Sequence, residues 1–428
     1  MADGNVINAV KKIIESDGER RYIVVSAPGK RYSGDIKVTD LLYSCHKTLL
    51  SEGTCKNGFA PVRARFISIA KELNIDYDIL PLLDETERLI DEFKNEDFTV
   101  SRGEYLCAHI MAKVLGAKFI DAEQVIFFNQ NGTLDGEKTY KAIREACAGA
   151  DYAVFPGFYG RGACGSVKTF SRGGSDISGA IVARAVYASL YENWTDVSGF
   201  LACDPRIVDI PKQIKTISYK ELRELSYMGA NVLHSESIFP VQNVNIPIQI
   251  KNTFRPHDEG TLILPITRYI PSGNIVTGVA GRKNFTVILL EKSMMTSEIG
   301  FLTKVLDVMH GEGIHVEHIP SGVDVVSLVV ATESLKDLKL ERITKVLNAA
   351  VSPDSIRVIE NVALIATVGH GMNSSVGTAA RLFNAIAAAK INVRLIDSGS
   401  SELSITVGVD NDDYEKCIRA IYYEFFNN

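Results

Sequence analysis

The chain has 428 residues, 46% hydrophobic and 23% charged, with a formal net charge of −6. That is globular composition, which excludes disorder, collagen and coiled coil, and at roughly 150 residues per domain it suggests about three units. A mildly acidic chain is a poor binder of the phosphate backbone, so nucleic acid is not an expected partner, while a local cationic pocket for a small anion is compatible with it.

In chain order, residues 5–16 carry helical spacing and 22–26 (YIVVS) read as a short buried strand ending in the turn Ala27-Pro28-Gly29. Helices are predicted over 60–73, 84–94 and 103–115, the last following Ser101-Arg-Gly-Glu104. Strands are predicted at FIDA (119–122), VIFF (125–128) and YAVFPGF (152–158), with a helix over 137–148. Strands alternating with helices imply an α/β fold with a mostly parallel sheet, whose ligands sit in loops at the carboxyl ends of strands. Residues 271–284 read as a linker or connecting strand. Beyond it, 285–330 aligns without a gap on the stretch from 362 onward at a constant offset of 77, and ten pairs match from Met295/Met372 on, among them Gly300/Gly377 and Ser321/Ser398. That length suits two small βαββαβ modules and not a solenoid unit.

No run approaches the roughly 20 apolar residues of a membrane span; the best stretch, 179–191, contains Arg184. The start has an early Asp3 and no apolar h-region, so neither a membrane nor a signal peptide is expected. Seven cysteines, widely spaced and without CxxC, fit reduced thiols in a cytoplasm. His315 and His318 lack an accompanying ligand set, so no metal is expected there.

Gly160-Arg-Gly162-Ala-Cys-Gly165 matches GxGxxG, but the alternating SVKTF follows where a dinucleotide fingerprint needs a helix, so 155–170 reads as a hairpin with a Gly-rich turn. Ser171-Arg172-Gly173-Gly174-Ser175-Asp176 opening ISGAIVARAVYASL is stronger. Paired glycines let a backbone approach a ligand closely, Ser175 or Asp176 can cap the helix, and the helix start with Arg172 forms an anion site. A plain capped loop is the simpler alternative. Thr195-Asp196 after Trp194, with Asp204-Pro-Arg206 beyond, suits a nucleotide's polar groups or ordinary turns. Ser101-Arg-Gly-Glu104 either presents a carboxylate into a cleft or caps a helix.

Taken in order, VVSAPGK (24–30), SRGEYL (101–106), FPGFYGR (155–161), FSRGGSDISGA (170–180), WTDVSGFLACDPRIV (194–208), ISYKELRELSYMGANVLH (217–234) and NVNIPIQIKNTFRPHDEGTLI (243–263) resemble the aspartate kinases of the amino-acid kinase family. The repeated modules resemble that family's tandem ACT domains. The resemblance implies a three-layer αβα sandwich in 1–274 and two ferredoxin-like ACT modules in 275–428, the copies near 285–361 and 362–428. It implies transfer of the ATP γ-phosphoryl group to the L-aspartate side chain, with Mg2+, as the first step toward lysine, threonine and methionine. Arg172 and Asp176 would be catalytic. Thr39, Glu104, Arg172, Gly173, Gly174 and Ser175 would hold the substrate, Glu104 meeting its amino group. Thr195, Asp196 and Arg206 would hold ATP. Met295, Ser297, Gly300, Glu317, Ser321, Asn392 and Val393 would form an effector site for an amino acid, lysine foremost, at an interface within a homodimer or higher homo-oligomer. Glu317 would meet a cationic amine; its repeat partner is Arg394, so the copies would bind differently.

The chain departs from the family pattern in three places. Members usually open with a strand ending in Lys-Phe-Gly-Gly, and this chain starts at Met1-Ala-Asp-Gly about where that motif ends. A late start codon or a trimmed chain is the expectation. A Tyr common at Leu201 and a Lys common at Asn231 are replaced as well. Two alternatives stay open: a catalytically inactive amino-acid sensor, or a kinase for another amino acid such as glutamate.

Overall fold

A computed structural model describes residues 1–171, 173–230, 233, 235–268, 274–336, 339–399 and 402–427. The chain divides into two compact units, Met1–Gly199 with Val232–Arg268, and Phe200–Asn231 with Tyr269–Asn428.

The first unit runs α1 (Gly4–Glu15), β1 (Tyr22–Val25), α2 (Val38–Glu52), α3 (Lys56–Leu73), α4 (Leu80–Phe93), α5 (Glu96–Leu115), β2 (Lys118–Phe119), α6 (Ala122–Val125), α7 (Gly136–Cys147), β3 (Ala153–Pro156), β4 (Tyr159–Arg161), β5 (Val167–Thr169), α8 (Gly174–Ala185) and β6 (Tyr191–Thr195). The segment 200–231 contributes β7 (Thr216–Ser218) and α9 (Tyr219–Tyr227) to the second unit. The chain then returns to the first with α10 (Phe239–Gln242), β8 (Ile248–Asn252) and β9 (Thr261–Leu264).

Strands β1, β3 and β2 form a parallel sheet in which Val25 pairs with Pro156, so the loops after β1 and β3 leave side by side. Strand β6 is parallel to β8, and β9 runs antiparallel to β8. The helices bury apolar rows on the first sheet, with Leu42, Phe59, Phe66, Leu106, Ile110 and Ile181 among the enclosed side chains. Burial of such rows is the main favourable contribution to the fold. The Gly-rich stretch is the turn of the β4–β5 hairpin, where Gly160 pairs with Lys168.

Two sequence expectations are corrected. Helix α5 starts at Glu96 because Asn95 caps it, accepting from the Phe98 N–H at 2.8 Å, with Glu96 and Asp97 in the first turn. Ser101–Glu104 therefore lies inside the helix and not before it. VIFF is no ladder strand: Val125 ends α6, and Phe127 and Phe128 make isolated bridges to Arg161 and Leu134.

The second unit continues with β10 (Gly278–Glu291), α11 (Phe301–Gly311), β11 (Val325–Ala331), α12 (Lys339–Val351), β12 (Ser355–Val368), α13 (Thr378–Ala388), β13 (Leu395–Asp397), β14 (Ser404–Asp410) and α14 (Tyr414–Phe426). Its sheet has the order β11-β10-β12-β14-β13. Strands β10 and β12, each of 14 residues, begin and end 77 positions apart and run antiparallel, from Gly278↔Val368 to Glu291↔Ser355. In the first module the later half of β10 pairs with β11 and with the start of β12. In the second, the later half of β12 pairs with β14 and with residues 278–282. The second module is thus closed by a strand segment that precedes the first.

The segment 200–231 packs onto this sheet. Val279 N–H donates to Ala202 O at 2.8 Å, and the Glu221 carboxylate accepts from Thr277 Oγ1 at 2.6 Å and from His370 N–H at 3.0 Å. No helix among the described residues is long and apolar enough to cross a membrane.

Candidate active site

The loops after β1 and β3 meet the start of α8. Gly157 N–H donates to Val25 O at 2.9 Å, and a Cβ on Gly157 would lie 2.8 Å from Ser175 Cα, so the β3 loop and the helix start touch backbone to backbone. A Cβ on Gly174 would lie 2.9 Å from Phe158 Cα, so the second glycine is required by the same approach. Gly173 caps α8 in the left-handed region (φ 57°), and no side chain caps the helix. The expectation that Ser175 or Asp176 caps it fails because α8 begins at Gly174, which puts both inside its first turn; the Asp176 carboxylate accepts from Asn193 Nδ2 at 2.9 Å, and Tyr191 Oη donates to the Asp176 carbonyl at 3.1 Å. An amide-rich helix start with its dipole is a seat for an anion. Arg172 lies outside the described residues.

Glu104 sits on the α5 face that meets the β1 loop. It is 4% exposed, and its Oε2 has no hydrogen-bond partner. Burial pushes its carboxyl up to about 8, against a smaller opposing effect of the Ala27 N–H that faces it. Helix and loop approach closely here, since a Cβ on Gly103 would fall 2.8 Å from Ala27 Cβ. Thr39 lies in the first turn of α2, tied to the same loop because Val38 N–H donates to Pro28 O at 3.2 Å. The structure therefore gathers Thr39 and Glu104 around the loop after β1, and Gly173–Asp176 beside the loop after β3. An orphaned buried carboxylate calls for a cation, because an unpaired charge in a dry site is costly.

Thr195 and Asp196 lie at the carboxyl end of β6. Thr253 N–H donates to Thr195 O at 2.8 Å, and Asn252 Nδ2 donates to Asp196 O at 3.3 Å. The Asp196 side chain is exposed. Arg206 belongs to the second unit, where it forks onto Asp204 at 2.6–3.1 Å.

The effector candidates fall on the loops of the ACT-like sheet. Met295 and Ser297 form a short 3-10 turn after β10, and Gly300 caps α11 with φ 81°, as Gly377 caps α13 with φ 87°. Ser321 bridges to Val326, and Asn392 and Val393 lie between α13 and β13. Glu317 is engaged within the chain, accepting from Tyr227 Oη of α9 and facing Arg282 Nη1 at 3.9 Å. His318 Nδ1 meets Asp397 at 2.6 Å. Asn193, Tyr227 and Arg282 escaped the sequence reading: each acts through a partner at least 17 residues away, and no local spacing signals it.

The amino acid kinase family model matches residues 1–252, and an ACT domain model matches 365–425. Aspartokinase 3 of Bacillus subtilis is 34% identical over 440 aligned positions, covering 100% of this chain and 96% of its own. The crystal structure of Clostridium acetobutylicum aspartate kinase superposes with a TM-score of 0.94 at 50% identity, covering 99% of this chain and 97% of its own. E. coli aspartokinase III, solved with lysine and aspartate in a T-state, gives 0.76 at 25% identity over 99% and 97%. With the glycine-lined start of α8, the buried Glu104 and the paired ACT-like modules already in place, these likenesses make the chain a member of the amino acid kinase family and, within it, of the aspartokinases.

Proposed function

We propose that this kinase transfers the γ-phosphoryl group of ATP to the side-chain carboxylate of L-aspartate, giving 4-phospho-L-aspartate, the first step toward lysine, threonine and methionine, in the cytoplasm. The observation that carries the reading is Glu104, buried with an unpartnered oxygen close to the loop that also holds Thr39. An α-ammonium group supplies the cation this carboxylate lacks. The start of α8, Gly173 to Ser175, with Arg172, takes the substrate carboxylate and the phosphoryl region. Thr39 lines the same pocket. Asp176, steadied by Asn193, stands at the transfer point. Thr195 and Asp196 hold the nucleotide.

Phosphoryl transfer is mainly positioning and charge neutralisation, and a substrate carboxylate is already ionised at neutral pH, so no protein base is required. Mg2+ fits as a companion of the nucleotide. Among the described residues no group of three or more His, Cys, Asp or Glu is clustered to hold a metal, and Mg2+ is ordinarily bound through phosphate oxygens, water and one or two carboxylates.

Residues 1–274 serve as the catalytic domain and 275–428 as the regulatory pair. The effector is an amino acid, lysine foremost, held by Met295, Ser297, Gly300, Glu317, Ser321, Asn392 and Val393 where the modules of two chains pair in a homodimer. The lysine-bound E. coli relative supports this choice.

The test is trapping of the acyl phosphate with hydroxylamine, alongside ADP release, for L-aspartate, L-glutamate and no amino acid. Hydroxamate formed only with L-aspartate is the expected result. Hydroxamate formed with L-glutamate instead, or with neither, would sink the assignment.

A further inference from the structure

The segment between β1 and α2 carries both ends of the proposed amino-acid pocket. At one end Ala27 faces Glu104 and packs on Gly103; at the other Thr39 opens α2. Between them residues 26–37 form no helix or strand, and Tyr32 and Ile36 point to solvent. Such a stretch has little of its own to fix its path.

One buried side chain from outside the segment reaches three of its points. Arg65 of α3, 5% exposed, donates from Nη1 to Gly29 O at 3.1 Å, and from Nη2 to Asp35 Oδ2 at 2.7 Å and Ile36 O at 3.2 Å. Asp35, 8% exposed, closes the other side, accepting from the Arg31 N–H at 2.9 Å and from Arg31 Nε and Nη2 at 2.9 and 3.1 Å. The Arg31 hydrogen bonds hold the Asp35 carboxyl well below the usual carboxylate range, so the clasp stays ionised. Helix α3 does not need this charge to stay in place, because Phe59, Val62, Phe66 and Ile69 anchor it in the apolar core. A buried ion pair is also weak support for stability by itself. What the guanidinium fixes, through its planar fork of donors, is geometry.

We propose that Arg65 is a positioning residue for the amino-acid half of the active site, holding the loop after β1 so that Ala27 and Thr39 face Glu104. Its hydrogen bonds go to Gly29, Asp35 and Ile36 of that loop, and not to the end of β6 that carries Thr195 and Asp196. The inference rests on reading Glu104 and Thr39 as amino-acid contacts.

The experiment measures binding of L-aspartate and of ATP separately by calorimetry, and the two KM values, for the full chain and for Arg65→Ala and Arg65→Lys. Arg65→Ala is expected to weaken L-aspartate about tenfold while ATP changes by less than about twofold, the scale of losing a group that orients a contact residue. Arg65→Lys, which keeps a charge for Asp35 but cannot span three acceptors, should fall between. Millimolar guanidinium should restore part of the L-aspartate affinity of Arg65→Ala. Thermal unfolding is followed in parallel, and if Arg65→Ala does not fold, the split seen in Arg65→Lys decides. Equal losses for both ligands, or a lowered melting temperature with both affinities intact, would overturn the proposal. If the wild-type chain binds a different amino acid, the reading of the substrate fails, and the same split measured with that ligand judges the clasp.

Discussion

The hydroxyl of Tyr227 donates to the carboxylate of Glu317, across 90 positions of sequence and inside one compact unit. Arg282 faces the other oxygen of the same carboxylate at 3.9 Å. The residue proposed to meet a cationic effector is therefore already occupied, by one neutral donor and one cation. An incoming ammonium has to displace or share them.

Tyr227→Phe removes the neutral competitor and leaves the ring. Lysine affinity, measured by calorimetric titration, is expected to rise about tenfold, the scale of one hydrogen bond to a charged group. Unchanged or weaker affinity would mean that lysine does not compete for Glu317.

The Glu104 carboxyl titrates near 8 in the fold against an ordinary value of 4.5. Between those values the folded chain holds a proton that the unfolded chain has lost, so the stability of the unliganded protein falls as pH rises from 4.5 to 8 and the penalty is constant above. Glu104→Gln abolishes this slope. Denaturant midpoints taken from roughly pH 5 to 9 should show the variant gaining on the wild type as pH rises. Parallel curves would mean that the carboxylate is not desolvated.

Aspartate binding should carry the same proton. Pairing Glu104 with an ammonium favours the ionised carboxylate, so binding near pH 7 releases close to one proton, and affinity improves by up to about tenfold per pH unit below 8. Titrations in buffers of different ionisation enthalpy read this directly. Heats independent of buffer would place the substrate amine elsewhere.

Asn193→Ala releases the Asp176 carboxylate from its anchor on β6. The expected result is a kcat lowered about tenfold to a hundredfold with both KM values nearly unchanged, as for loss of a group that orients a functional residue. A rise in the KM for ATP alone would reassign Asp176 to nucleotide binding.

Gly157→Ala places a methyl group 2.8 Å from Ser175 Cα, where backbone cannot easily yield. A loss of about 1–3 kcal/mol in denaturant unfolding is expected, the usual range for overpacking. Unchanged stability would mean that the β3 loop and the start of α8 are free to separate.

Much of the architecture was legible from local pattern. The 77-residue repeat announces itself because each module needs a left-handed glycine at the same place, Gly300 and Gly377, ahead of helices that span Phe301–Gly311 and Thr378–Ala388. The paired glycines before α8 signal close backbone approach for the same steric reason. Three features were hidden. The start of α5 turned on one capping asparagine, Asn95, eight residues ahead of the predicted helix. Helix α2 begins at Val38 after Lys37, which supplies no side-chain cap, so only Asp40 in its first turn marks the start. The partners of Glu104, Asp176, Glu317 and Arg65 come from elements distant in sequence, and periodicity carries no record of such meetings.

The exchange of strand segments between the two modules makes them inseparable by a single cut. A fragment of 362–428 alone would lack the 278–282 edge that pairs with 364–368, and its removal would leave that edge unpaired in the remaining chain. The long β10–β12 ladder instead predisposes the region to behave as a split protein: a break in the chain near Gly311 or Gly313 would leave two pieces still zipped along fourteen-residue strands. The pair shares one five-stranded sheet, so a transplant of either module would have to carry the whole of it.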